Sequence, residues 1–321
     1  MIDAVAQYLL QHDSFVLISH TSPDGDTLGS ALALYGALLQ LGKRAEVLCD
    51  SPTPPYLREI PHIEEVHGQM RMAGDYTAIA IDCGDEERIG KLYSVFQNAR
   101  FRINIDHHMT NNSYADLNIV RSGSAATAEI IFELITGMGL TLDRDMGTCL
   151  YTGLCTVTGN FAYTNTTAHT FRVAAALMET GIDIARLNLK LFRERSLART
   201  QMIEISIRNL RMYCGGRLAV TAITAGDMES VGATDQDSEG TVTYIRDIDT
   251  VEIAAVMRET GPEEYKVSLR SKEYADIGVV AMALHGGGHK FSAGCTLHGS
   301  LEQCRQTLVD ALSQQLKKET L

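Results

Sequence analysis

Three apolar stretches of this chain each run directly into a cluster of carboxylates and imidazoles. Residues 15–19 (Phe-Val-Leu-Ile-Ser) lead into His20, Asp24 and Asp26. Residues 77–81 lead into Asp82 and Asp85, and residues 102–105 into Asp106, His107 and His108. A short continuous apolar run bounded by turn residues is the pattern of a strand buried on both faces, as in a parallel sheet. Ligands of open α/β sheets bind outside the carboxyl ends of the strands. Each cluster alone reads as a polar turn. Three at equivalent strand ends imply one shared site.

The surrounding pattern supports such a sheet. A helix at 31–41 follows the first cluster, opened by Gly29 and Ser30, and a strand follows at 45–49. Residues 127–134 read as a helix with Ser124 as its N-cap, and 149–156 are apolar without a decisive period. Helices are expected at 171–178 and 184–191. The alternation predicts an α/β fold with a doubly wound, mostly parallel sheet. With 321 residues, about two domains are expected. The first spans 1–185, a helical connector 186–203, and a smaller α/β domain 204–321, lying across a cleft from the first. The second carries strand-like runs at 218–223, 253–258 and 265–270, then Gly286, Gly287, Gly288, His289 and Lys290, and a helix from Leu301.

Composition narrows the partners. A net charge of −12 argues against duplex DNA held by broad phosphate neutralisation, while a local basic pocket for a small nucleotide remains compatible. Trp is absent and aromatics make up 6%, too few for an extended base-stacking platform. Seven scattered cysteines without a CxxC pair fit reduced thiols. No apolar run reaches the roughly 18 residues of a membrane span, and no signal pattern opens the chain. A cytoplasmic protein without membrane partners is expected, with oligomerisation left open.

Pro23 and Gly25 make the first cluster a loop, which can turn His20, Asp24 and Asp26 toward one point. Asp82 can bridge two ions through its two oxygens. His107 and His108, being adjacent, point in different directions, so one can ligate metal while the other faces substrate. Oxygen-rich ligation with histidine suits Mn²⁺, with Mg²⁺ as a substitute. Two such ions activate water and stabilise an in-line displacement at phosphorus. The glycines at 286–288 form either a flexible turn or a backbone N–H cradle for an anion, with Arg270 and Lys272 supplying positive charge nearby.

Taken together, His20, Asp24, Asp26, Asp82, the run Asp106-His107-His108 and the late Gly-Gly-Gly-His289 resemble the DHH phosphoesterase family with its DHH-associated C-terminal domain. The resemblance covers nearly the whole chain. The length is most similar to members that combine oligoribonuclease and 3′-phosphoadenosine 5′-phosphate (PAP) phosphatase activities. RecJ-like exonucleases carry additional domains for which there is no room. The resemblance implies that His20, Asp24 and Asp82 hold one Mn²⁺, and that Asp26, Asp82 and His107 hold the other. It implies catalytic roles for His108, on the scissile phosphate, and Asp106, which orients the histidine pair. Arg270, Gly287, Gly288 and His289 would bind substrate.

One position departs from the family. A further motif, Asp followed by Thr-Gly, is matched by Val157, Thr158 and Gly159, with valine where the metal-binding carboxylate belongs. The expected function is that of a metal-dependent phosphodiesterase and exoribonuclease. It would convert very short RNA oligomers (nanoRNA) to 5′-mononucleotides and also act on PAP. The alternatives are a phosphodiesterase for cyclic or linear dinucleotides, and a nucleotide-binding protein impaired by Val157.

Overall fold

Both faces of the first strand are packed. In β1 (Ser14–Ser19) Phe15, Val16, Leu17 and Ile18 are all fully buried. Phe15 and Leu17 join one apolar cluster, and Val16 and Ile18 join another on the opposite face. This is the environment of a parallel sheet covered on both sides. The computed structural model describes residues 1–238 and 240–316. Residues 317–321, the end of the expected second domain, lie outside the described residues.

The chain divides into two compact units, Met1–Glu194 and Arg195 onward. In the first unit β1 is joined by β2 (Arg44–Leu48), β3 (Val66–His67), β4 (Thr77–Ile81), β5 (Phe101–Asp106) and β6 (Leu117–Val120). All neighbours are parallel, in the order β3-β2-β1-β4-β5-β6. The chain proceeds outward from β1 to β3, then returns to lay β4 beside β1. Strand order therefore reverses between β1 and β4, where such a sheet leaves a crevice at its carboxyl edge. His20 follows β1 and Asp82 follows β4, so the reversal brings them together.

Helices α1 (Ile2–Gln11), α2 (Gly25–Gln40), α4 (Thr127–Gly137), α5 (Arg144–Val157) and α6 (Ala168–Glu179) cover one face. The shorter α3 (Tyr93–Gln97) covers the other with Phe96, beside Ile89 and Leu92. Residues 149–156, undecided from sequence, lie within α5. Helices α2 and α5 touch closely because a Cβ on Gly29 would stand 2.3 Å from the Cys149 carbonyl oxygen. Only glycine permits that approach. The unit ends with α7 (Ile184–Asn188) and a π-helical turn, Leu189–Arg193.

The second unit is a mixed sheet in the order β11-β12-β10-β9-β8-β7. Its strands are β7 (Arg211–Tyr213), β8 (Leu218–Ile223), β9 (Ile253–Gly261), β10 (Glu264–Ser271), β11 (Gly287–His289) and β12 (Ser292–His298). Among the described residues of this unit only β8 and β9 pair in parallel. Helix α8 (Leu197–Arg208), the short α9 (Ala225–Ser230) and α10 (Thr241–Arg246) accompany it, and Met202 and Ile245 pack on Ala219, Ala254 and Val256. On the opposite face α11 (Ile277–Ala283) and α12 (Leu301–Leu316) bury Leu218, Val267 and Leu269.

The turn after β10 is fixed by a buried carboxylate. Glu252 accepts backbone N–H bonds from Glu273, Tyr274 and Ala275 at 3.1, 2.9 and 2.9 Å. Glu252→Ala leaves three donors without that acceptor and is expected to cost roughly 3 kcal/mol. A urea titration that gave the parent midpoint would show that the turn is held by something else.

Candidate metal centre

At the end of β1, His20 is held by its backbone neighbour. Its Nδ1–H donates to the Thr21 carbonyl at 2.8 Å, since a carbonyl can only accept. That fixes the tautomer and leaves Nε2 as a lone pair. This Nε2 is buried and has no hydrogen-bond partner among the described residues. It faces Asp82 Oδ2 at 3.5 Å and Asp24 Oδ1 at 3.9 Å. His107 repeats the arrangement. Its Nδ1–H donates to the Ser124 carbonyl at 3.2 Å, and Nε2 lies 3.6 Å from Asp82 Oδ1 and 3.8 Å from Asp26 Oδ2. Asp82 thus turns one oxygen to each imidazole.

The carboxylates are positioned by helix starts. Asp24 is the N-cap of α2, with Oδ1 accepting from the N–H groups of Asp26 and Thr27. Asp26 caps a different helix. Its Oδ2 accepts from Thr127 N–H at 2.8 Å and its Oδ1 from Ala128 N–H at 2.9 Å, at the start of α4. The N-cap position there is Ala126, which has no side-chain bond to give. The local cap expected at Ser124 is replaced by a carboxylate about a hundred residues earlier in the chain.

Two groups of donor atoms converge closely enough to share an ion: His20, Asp24 and Asp82, and Asp82, His107 and His108. His108 does not qualify as the third donor of its group. The nitrogen nearest Asp82 is Nδ1, at 3.7 Å, and that atom is bonded to Asp106 Oδ1 at 2.7 Å. Asp26 stands outside both groups, although its Oδ2 approaches His107. Asp106 is buried, and its second oxygen accepts from Asn111 Nδ2 at 2.6 Å. Asn104 and Tyr114 extend this network to the Cys83 carbonyl.

The charges are crowded. Burial, then repulsion from Asp82 and Asp24, pushes the Asp26 carboxyl well above its ordinary range, against two backbone N–H bonds. Burial opposes ionisation of Asp82 as well, but the positive charge that His20, His107 and His108 bring when protonated outweighs burial and holds its carboxyl low, a place that a cation takes when the imidazoles are neutral. The hydrogen bond to Asp106 raises His108 against the effect of burial. A divalent cation fits this set: two imidazoles aimed by their carbonyl bonds, one buried nitrogen without a partner, and carboxylates that repel one another.

Val157 is the last residue of α5 and packs half-buried on the core. Asn165 Nδ2 donates to its carbonyl at 3.3 Å and to the Ala125 carbonyl at 3.2 Å. Ala125 adjoins Ser124, which holds His107, so the end of α5 is tied to the second donor group. The Val157 side chain offers no ligating atom.

In the second unit, strand pairing sets Arg270 and His289 on either side of Ser292. Directly paired residues share a face of a sheet, so these three form one transverse row. Gly287 and Gly288 belong to the short outer strand β11, so of the two readings offered by the sequence the flexible turn does not hold for them. A Cβ on Gly286 would stand 2.1 Å from the Gly294 carbonyl oxygen, so this approach to β12 excludes side chains.

Sequence reading missed the supporting residues. Thr127 Oγ1 donates to Asp82 Oδ1 at 2.7 Å, and Asn104, Asn111 and Tyr114 fix Asp106. Of these, only Asn111, close behind the histidine pair, carried any positional signal.

The DHH family N-terminal domain matches residues 14–154, and the DHHA1 domain matches residues 215–318. The bifunctional oligoribonuclease and PAP phosphatase NrnA of Thermus thermophilus is 34% identical over 305 residues, covering 94% of this chain and 90% of that protein. The crystal structure of an exopolyphosphatase-related protein from Bacteroides fragilis superposes with a TM-score of 0.89 at 26% identity, covering 98% of this chain and 95% of that one. RecJ of Thermus thermophilus, solved with Mn²⁺, shares the fold at a TM-score of 0.54 and 14% identity, and this chain covers only 54% of it. With the matched domains in this order, the chain belongs to the DHH phosphoesterase family, as a DHH domain followed by a DHHA1 domain, and is similar along nearly its whole length to NrnA.

Proposed function

We propose that the chain is a Mn²⁺-dependent phosphoesterase that hydrolyses very short RNA oligomers to 5′-mononucleotides and removes the 3′-phosphate of PAP. The observation that carries this reading is Asp82, set between two imidazoles whose Nε2 lone pairs face it at 3.5 and 3.6 Å. Similarity to NrnA supplies the substrate class.

In this reading His20, Asp24 and Asp82 would hold one ion, and Asp82, His107 and Asp26 the other. Bound there, the ions supply an activated water and Lewis-acid stabilisation of phosphate charge. His108 donates from Nε2 to the scissile phosphate while Asp106 accepts from its Nδ1 and fixes the ring. Thr127 steadies Asp82 so that both its oxygens keep their directions. In the second unit, Arg270 and His289 would bind a phosphate group, with Gly287 and Gly288 giving it room.

A second reading, a nucleotide-binding protein of low turnover, is favoured by Val157 alone. The test is a panel with Mn²⁺: a dinucleotide, a 24-nucleotide RNA, PAP and a cyclic dinucleotide. The dinucleotide and PAP are expected to be hydrolysed, and the 24-mer at least about tenfold more slowly. Preference for the cyclic dinucleotide would replace the substrate assignment. Binding without turnover on any member would favour the second reading.

A further inference from the structure

Arg88 belongs to none of the three sequence clusters, yet it touches all three loops. Its N–H donates to Asp85 Oδ1 at 2.9 Å, in the segment after β4. Its carbonyl accepts from Thr21 N–H at 2.7 Å, beside His20 after β1. Its guanidinium Nη1 lies 3.4 Å from His108 Nε2, after β5. The residue is half-buried. Among the described residues no carboxylate forms an ion pair with it, although Asp82 and Asp106 both attend His108 on its other side.

A guanidinium withdrawn from water normally finds a carboxylate, because its desolvation is otherwise uncompensated. Here the surrounding carboxylates are already engaged: Asp106 by His108 and Asn111, and Asp85 by the Arg88 backbone. What remains in front of Arg88 is the Nε2 edge of His108. Two nitrogens 3.4 Å apart are close enough for a single phosphate oxygen to accept from both. The planar fork of arginine suits the tetrahedral oxygens of a phosphoryl group better than a point charge does.

Resting on the phosphoesterase reading, the geometry points to Arg88 as a substrate-binding residue, which with His108 Nε2 takes the oxygens of the scissile phosphate. The first unit then carries a phosphate site of its own, separate from the row of Arg270 and His289. A competing account makes Arg88 structural, as a tie between loops. The ties to the loops after β1 and β4 use only Arg88's own main-chain N–H and carbonyl, so a side-chain substitution leaves them in place and isolates the guanidinium.

The experiment measures calorimetric binding of inorganic phosphate to the full chain with Mn²⁺, for the parent, Arg88→Gln and Arg88→Lys. The parent binds phosphate. Arg88→Gln weakens binding by about tenfold or more, and Arg88→Lys recovers part of it. Mn²⁺ affinity and melting temperature stay at parent values in both variants, which a structural role would not allow. Because binding is read without turnover, the two readings fail separately. A parent that binds phosphate through Arg88 but hydrolyses nothing would sink the phosphoesterase reading and leave this site standing. Equal phosphate affinity in Arg88→Gln and the parent, or no binding by the parent, would overturn the assignment.

Discussion

Asp82→Asn is expected to lower phosphoester turnover by about 10³-fold or more while leaving the fold intact. Asparagine is a better probe than alanine because Asp82 sits at φ 60°, in the left-handed region. Asparagine enters that region readily, whereas alanine would add backbone strain to the loss of charge. The amide oxygen still accepts from Thr127. What disappears is the one anion that faces both His20 and His107. Metal pairs supply several kcal/mol of transition-state stabilisation, and about 1.4 kcal/mol is a factor of ten in rate. Steady-state kinetics with a Mn²⁺ titration measure the loss, and thermal melting checks the fold. Turnover within a few-fold of the parent would mean that the two donor groups do not act through a shared residue.

Val157→Asp is expected to move in the opposite direction. A carboxylate at the end of α5 adds an anionic donor to the second group, where Asp26 has both oxygens engaged at the start of α4. Residues that merely support a metal ligand change affinity by about 10–100-fold, so a direct ligand should gain at least that much in Mn²⁺ affinity, with turnover rising alongside. The metal-free protein pays for this gain. Another carboxylate at the end of α5, the helix whose Gly153 abuts Asp26, adds repulsion to a carboxyl whose ionisation is already opposed by burial and by Asp82 and Asp24. Melting in chelator should therefore occur at a lower temperature than for the parent, and addition of Mn²⁺ should more than restore it. Two fully occupied sites in the parent, with turnover unchanged by the substitution, would show that the valine costs nothing.

The strand ends were legible because their signal is local. An apolar run followed by Asp or His can be read within ten residues, and β1, β4 and β5 all fall where such runs occur. The capping of α4 was not legible. Asp26 reaches Thr127 and Ala128 only after β4 and β5 have been laid beside β1, and no local pattern encodes that approach. Residues 149–156 form a helix whose packing rests on Gly29 of α2, a partner that periodicity within the segment cannot show. The segment at 286–289 was open between an anion cradle and a flexible turn. Pairing with β12 makes Gly287–His289 a strand, a partner that the glycine run itself cannot show, and Gly286 and Gly288 approach β12 too closely for a side chain. The network around Asp106 was hidden because Asn104, Asn111 and Tyr114 are ordinary residues whose meaning lies in shared hydrogen bonds.

The reversal of strand order between β1 and β4 also governs when the centre can exist during synthesis. His20 and Asp24 emerge early, but β1 gains its inner neighbour only once β4 has been made, and His107 follows β5 later still. A nascent chain ending before Asp82 holds one imidazole and two carboxylates with nothing to converge on. Until β4 and β5 are made, a metal has no complete donor set to organise, unlike the zinc of small fingers that are unfolded without it. The sheet itself rests on the apolar residues of β1, β4 and β5, none of which is a candidate donor. A substitution among the donors is therefore expected to spare the fold.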